Sequence, residues 1–207
     1  MGTYIALVLK GIFTSAHWKA CGQTLADLIQ NPGSFYSGIG KKETDDRAYV
    51  LGITASLVVL VLTALMMGGT FGKMWGVNGL AALPVALVVS FVLFFVGVYV
   101  TYYIGAWILN LAVTWVIGAS AVEKIRPILF STSVAGLAGI LPVVGGLVSI
   151  AVTCVLLVIA YETNFKCTRG KAIGAALLGV AIPIVLIMLV GGLVGGIFAL
   201  GMAGMHR

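Results

Sequence analysis

Charge is what this sequence has least of. Only 9% of its 207 residues are Asp, Glu, Lys or Arg, against about 25% in an ordinary soluble domain. Acid is the scarcer sign, with six carboxylates against twelve basic residues and a net charge of +6. Histidine occurs twice, as His17 and His206, and cysteine three times. Residues AVILMFWYC make up 61%, and 28 glycines add to them. No soluble domain of this length has interior enough for so much apolar side chain, so a soluble protein is excluded. A disordered segment is excluded by the same composition. Cys21, Cys154 and Cys167 show no metal or redox spacing, and their odd number rules out a closed disulfide scaffold. A mean hydropathy of +1.16 leaves a multispanning membrane protein. The basic excess is scattered along polar segments, which fits membrane topology rather than nucleic-acid binding.

A second absence concerns chemistry. No Asp, Glu, Lys, Arg or His lies in the body of any expected span. Proton relays, voltage sensors and ion-coupled sites carry such groups inside the bundle. Intramembrane haem and most metal sites need facing His or Cys. The sequence therefore points to a non-enzyme, with no catalytic residue, cofactor or metal ligand expected. A passive pore is less firmly excluded, because carbonyls and hydroxyls can line one.

What is present is a series of long apolar runs, each to be measured against the roughly 20 residues of a spanning helix. Residues 48–68 form one. A glycine-containing loop over 69–79, with Lys73, follows. Residues 81–118 carry no charge and exceed one crossing. Residues 127–161 are uncharged too, and Pro142, Gly145 and Gly146 divide them into spans 127–143 and 145–161. A polar loop over 162–171 precedes a last span, 172–203. Charge counts the crossings. If 81–118 crosses once, Lys10, Lys19, Lys41, Lys42, Arg47, Lys124, Arg126, Lys166, Arg169 and Lys171 share one side, with only Lys73 and Arg207 opposite. If it crosses twice, the asymmetry collapses to near parity. The positive-inside rule therefore predicts five spans, a cytoplasmic N-terminus and an outer C-terminus. The second span, 81–107, has an extension to 118. Tyr99, Tyr103 and Trp107 recur at i, i+4, i+8 in it, with Tyr102 beside them. Two readings stand: a bend near Gly105 towards the surface, or one tilted helix.

Residues 1–47 precede the spans as a separate cytoplasmic part. No basic n-region or cleavage site marks residues 1–9 as a signal peptide. Ala6 stands where a myristoylation motif wants Ser or Thr, and no lipoprotein motif surrounds Cys21. Ile5, Val8, Leu9, Ile12, Phe13, Ala16 and Ala20 recur at helical spacing, which predicts an amphipathic helix. Its apolar face lies either in the membrane interface or against the protein's own spans.

Two further sets of residues invite a function. Gly191, Gly195, Ala199 and Ala203 repeat every fourth position in the last span, a face for close helix packing, within the chain or with a partner. Asn110, Thr114, Ser131, Thr132 and Ser133 are polar residues that either pack or line an uncharged path. In membrane helices such hydroxyls mostly bond a carbonyl one turn back.

Two stretches resemble a known family. Leu28-Ile29-Gln30-Asn31-Pro32-Gly33-Ser34-Phe35-Tyr36 is similar to the "NP..F[FY]" opening of bacterial members of the Yip family (Ypt/Rab-interacting-protein domain proteins). Phe130-Ser131-Thr132-Ser133, Leu141-Pro142-Val143-Val144-Gly145 and Gly170-Lys171-Ala172 resemble that family's "YS..P.ll..iP.lG" and "s..kA". Phe130 replaces the family's Tyr, and its first proline is missing from 136–139. The resemblance covers residues 28 to 190. It implies five spans, no catalytic residues and a bacterial member in the inner membrane. Eukaryotic relatives act in vesicle traffic and contact prenylated Rab GTPases.

The sequence thus leads to an all-α integral membrane protein of five spans (the membrane domain, 48–207) after an amphipathic N-terminal helix. Its expected role is scaffold, accessory subunit or membrane organiser. The ten basic residues on the cytoplasmic side are candidate contacts for anionic lipid, for another membrane protein or for a second copy. The alternative is a small channel or transporter.

Overall fold

Thr14 breaks the N-terminal helix in two. In the computed structural model α1 (Gly2–Gly11) ends before it, and α2 (Ser15–Gln30) begins after it. The Thr14 hydroxyl accepts the His17 backbone N–H at 3.3 Å, which satisfies one free donor of the new helix. Asn31 does the same for α3 (Pro32–Ser37). Its Oδ1 accepts the Ser34 N–H at 3.2 Å, and Pro32 sits in the first turn, where a missing N–H is harmless. The structure describes residues 1–74, 79–140 and 144–205; the side chains of 66–74, 79–83, 86, 187 and 190–205 are outside that description. Among the described residues there is no strand.

Helix α4 (Lys42–Met74) is longer than the expected 48–68 and takes in much of the expected loop at 69–79. It also runs through the expected division at residue 47. Helix α5 (Gly79–Val100) continues through a π-helical turn, Thr101–Gly105, into α6 (Ala106–Ile117), so the run at 81–118 is helical almost throughout. Gly118, at φ 83°, ends it in the left-handed conformation that glycine adopts without strain. Helix α7 (Val122–Thr132) passes into a 3₁₀ segment, Ser133–Ile140. The expected span at 127–143 is therefore divided at Thr132, and Pro142 lies outside the described residues. Helix α8 (Gly145–Phe165) extends past the expected end at 161, and α9 (Arg169–Met205) starts before 172. Only Lys166, Cys167 and Thr168 remain of the loop expected over 162–171.

Among the described residues four stretches are long and apolar enough to cross a membrane: Lys42–Leu65, Leu87–Ile117, Gly145–Phe165 and Arg169–Leu186. This fits an integral membrane protein. The described part of the expected span at 127–143, residues 127–140, is not among them.

The core gathers at one end of these helices. Ile5 and Val8 of α1 pack with Tyr49, Ile53 and Leu57 of α4, Phe94 and Val98 of α5 and Phe130 of α7. A second cluster joins Leu28, Phe35 and Tyr36 to Ala48, Leu51, Leu109, Val113, Ile125, Ile128, Leu157, Tyr161, Ala172 and Ala176. This is the capped end, because α1 to α3 cover it. Away from it burial falls. Within the 18-residue apolar window of Leu87–Ile117, 11% is buried, against 50% for Lys42–Leu65. Val88, Val92, Val96, Tyr103 and Trp107 are exposed, a surface suited to lipid rather than water.

Candidate functional site

The capped end is built from polar groups that find partners across elements. Tyr36 is fully buried. Ser131 Oγ donates to the Ile128 carbonyl at 2.7 Å and lies 3.2 Å from the Tyr36 hydroxyl. The serine's one proton is already engaged, so the phenol is the donor to Ser131. Burial pushes the Tyr36 phenol well above its ordinary value, which keeps it protonated for that role. Asn164 Nδ2 donates to the carbonyls of Tyr36 and Ala160, both at 3.0 Å. Thus α3, α7 and α8 are pinned at one level. Asn164 and Tyr36 had no functional reading in the sequence. A polar residue just before a helix end was the signal, hidden because the stretch at 162–171 read as loop.

On the other flank α1 runs beside α4, and α2 returns. The Tyr4 hydroxyl donates to Asp46 Oδ1 at 2.6 Å. Burial, then this carboxylate, raises the Tyr4 phenol to about 12. Two turns further along α4, His17 Nε2 lies 3.1 Å from Thr54 Oγ1 and 3.6 Å from Cys21 Sγ. With the Thr54 proton directed to the Val50 carbonyl, at 2.7 Å, the imidazole Nε2 carries the donor to Thr54. Burial lowers the His17 value below the ordinary one. Arg47 then reaches back along α2, to Thr24 Oγ1 at 3.2 Å and to the Asp27 carboxylate. The turn between α1 and α2 projects Phe13, 94% exposed, with exposed Lys10 and Lys19 nearby in the chain. The apolar face of α1 is thus applied to the protein's own helices, and its rim is left open.

The basic residues converge on this end. Lys41 and Lys124 flank Gly40, where the Lys124 Cε would come within 3.9 Å of an added Cβ, and Lys42 opens α4. Lys166, Arg169 and Lys171 lie at the α8–α9 connection, close in sequence to Asn164. Among the described residues only Arg47 and Arg169 have a carboxylate within salt-bridge reach, Asp27 and Glu162 respectively. Lys10, Lys19, Lys41, Lys42, Lys124, Arg126, Lys166 and Lys171 have none. Their charge is left to whatever faces this end.

The candidate polar path is distributed differently. Asn110 holds the turn after α6, its Nδ2 donating to Ser120 Oγ at 3.2 Å and its Oδ1 accepting the Ala121 N–H at 3.1 Å. Thr114 donates to the Asn110 carbonyl at 2.8 Å, and Thr132 and Ser133 both donate to that of Leu129. Each hydroxyl satisfies a helix carbonyl, and Asn110 and Thr114 serve a different junction from Ser131. Gly191, Gly195, Ala199 and Ala203 fall within α9, and their side-chain surroundings lie outside the described residues. Comparison with family models, with curated proteins and with solved structures gives no match.

Proposed function

We propose that this chain is a non-enzymatic integral membrane protein, a scaffold, accessory subunit or membrane organiser that works through the capped end, and that this end faces the cytoplasm. One observation carries the reading: eight cations without a carboxylate partner belong to an end where Tyr36, Ser131, Asn164, Tyr4, Asp46, His17 and Thr54 find their polar partners in one another or in the backbone. Such an end has charge to offer and no constellation for bond-making. Each basic group near a bilayer surface contributes about 1 kcal/mol of attraction to anionic lipid. Phe13 and the basic Lys10 and Lys19 suit the boundary between headgroups and acyl chains. The resemblance to the Yip family, with a bacterial inner-membrane location, belongs to the same proposal.

Five crossings are part of it. The hairpin of α7, the 3₁₀ segment and α8 begins and ends at the level of Tyr36, through Ser131 and Asn164. If α8 crosses, its other arm must cross as well. The C-terminus then lies outside.

The test is crosslinking of the tagged full chain in its native membrane, followed by purification and stoichiometry. A fixed-ratio membrane partner is expected, and charge reversal at Lys41, Lys42 and Lys124 should release it. Recovery of a homo-oligomer alone that conducts ions in proteoliposomes, with flux abolished by Asn110→Leu, would replace this reading with the pore.

A further inference from the structure

Arg126 is the one cation of the capped end that is drawn inwards without a counter-charge. Its Nε is buried and has no hydrogen-bond partner. Its guanidinium carbon lies 4.5 Å from the centre of the Tyr102 ring, and its Nη1 is 3.5 Å from the Tyr102 hydroxyl, a long contact. The carboxylates on the facing end of α4 are engaged elsewhere: Asp46 by the Tyr4 hydroxyl, Asp45 by the Gly40 N–H at 2.9 Å. A planar guanidinium laid on an aromatic face keeps its remaining donors free for a phosphate or carboxylate.

Beneath it is a groove. Phe130, one turn after Arg126 on α7, and Thr101, next to Tyr102, line its near end. From there it runs between α4 and α5 past Ser56, Val98, Gly97 and Phe94 to Leu60 and Leu93. The direction is away from the capped end and into the apolar part of both helices. The Ser56 hydroxyl donates to the Gly52 carbonyl at 2.8 Å, so it offers the groove no proton. A Cβ at Gly97 would meet no atom within 4 Å, so the missing side chain keeps the groove open. Leu93 on the rim is exposed. The volume, about 210 Å³, is below the roughly 300–1,000 Å³ of pockets that enclose soluble small molecules. The π-helical turn at Thr101–Gly105 sits where headgroup site and groove meet, and such turns recur at functional positions.

We infer that Arg126, Tyr102 and the α4–α5 groove bind one anionic glycerophospholipid, its phosphate on the guanidinium and an acyl chain along Gly97. The charge left unmatched at the mouth and the apolar floor below it select that occupant. This deepens the reading of the capped end as lipid-facing, and rests on α4 and α5 spanning the membrane.

Native mass spectrometry of the full chain tests it, with phosphatidylglycerol and phosphatidylcholine offered at equal concentration. Both lipids bring a phosphate, but the choline ammonium cancels its charge, so wild type should retain one phosphatidylglycerol in preference by about tenfold. Arg126→Gln should abolish the preference, and Arg126→Lys should keep part of it. Gly97→Leu should reduce retention of both lipids, whereas Gly146→Leu, an equally open glycine on α8, should behave as wild type. Gly97→Leu leaves the arginine in place, so the groove is tested even if Arg126→Gln does not fold. The inference is overturned by equal retention of the two lipids in wild type. It is also overturned if Gly97→Leu has no effect, or if inorganic phosphate displaces the lipid. Partner recovery is measured separately: a partner without lipid selectivity removes only this inference, and lipid selectivity without a partner removes only the scaffold.

Discussion

His17 is the residue whose ionisation is most directly tied to a piece of structure. It closes α2 against α4 through Thr54, in a buried site with Cys21 beside it and no carboxylate in contact. Burial depresses its value, so the docked segment holds the neutral imidazole and the released segment takes up the proton. Docking of α1 and α2 is fully supported above the ordinary histidine value of about 6.5 and is lost as the pH falls through the lower docked value. Protection factors at the amides of α1 and α2, that is exchange measured against the intrinsic rate at each pH, should therefore fall between neutral and mildly acidic pH, with those of α8 unchanged. A flat profile in wild type, or an unchanged slope in His17→Gln, would remove histidine from this role. How such a residue reads in sequence depends on the range of its contact. The bonds of Thr114 and Ser133 lie one turn away and follow from helix geometry, as expected. The Tyr36 contacts of Ser131 and Asn164 join distant segments, and hydroxyl or amide chemistry alone does not say which.

Elements were more legible in kind than in extent. Apolar spacing over Ile5, Val8, Leu9, Ile12, Phe13, Ala16 and Ala20 predicted one helix; the break at Thr14 was missed, Phe13, Ala16 and Ala20 are exposed, and α2 buries His17, Cys21, Thr24 and Leu28 instead. Threonine before a helical run was the available signal. Loops were overestimated at 69–79 and 162–171, because glycine and charge mark polarity, not the end of hydrogen bonding. For 81–118 length and aromatics left a bend near Gly105 or one tilted helix open; the chain is helical through Ile117 with a π-helical turn at Thr101–Gly105, which has no sequence signature beyond the aromatic cluster. Close packing at Gly52 gives a sharp element-level expectation. A Cβ there would run into the Phe130 carbonyl oxygen, a backbone atom that cannot turn aside. Gly52→Ala should force α4 and α7 apart and cost about 1–3 kcal/mol, read as a lower Tm in nanodiscs. Gly146→Ala, where nothing lies within 4 Å, should be neutral or stabilise by up to about 1 kcal/mol. Equal effects at both positions would show that the α4–α7 contact is not tight.

At the scale of the whole molecule, composition predicted a membrane protein and the lengths of the apolar runs predicted its helices. The number of crossings depends on the hairpin around residue 142, where an apolar run reads the same whether it traverses or re-enters the bilayer. Cysteine accessibility in intact cells decides it. With five crossings, reagent from outside should label Lys73→Cys and Ala203→Cys and miss Lys166→Cys. Protection of Ala203→Cys with Lys73→Cys still labelled would leave an even number of crossings and put both termini inside. The long reach of Tyr36 also sets an order of assembly. Its carbonyl is 128 residues upstream of the Asn164 that caps it, and its phenol 95 upstream of Ser131. At a synthesis rate of about 5–20 residues per second, α3 waits roughly 6–25 s after translation for that amide to be made. Through that interval Phe35 and Tyr36 have no bundle to enter. A segment made before every span is thus among the last to reach its place, and it needs shelter, from the membrane surface or from a chaperone, until the eighth helix is complete.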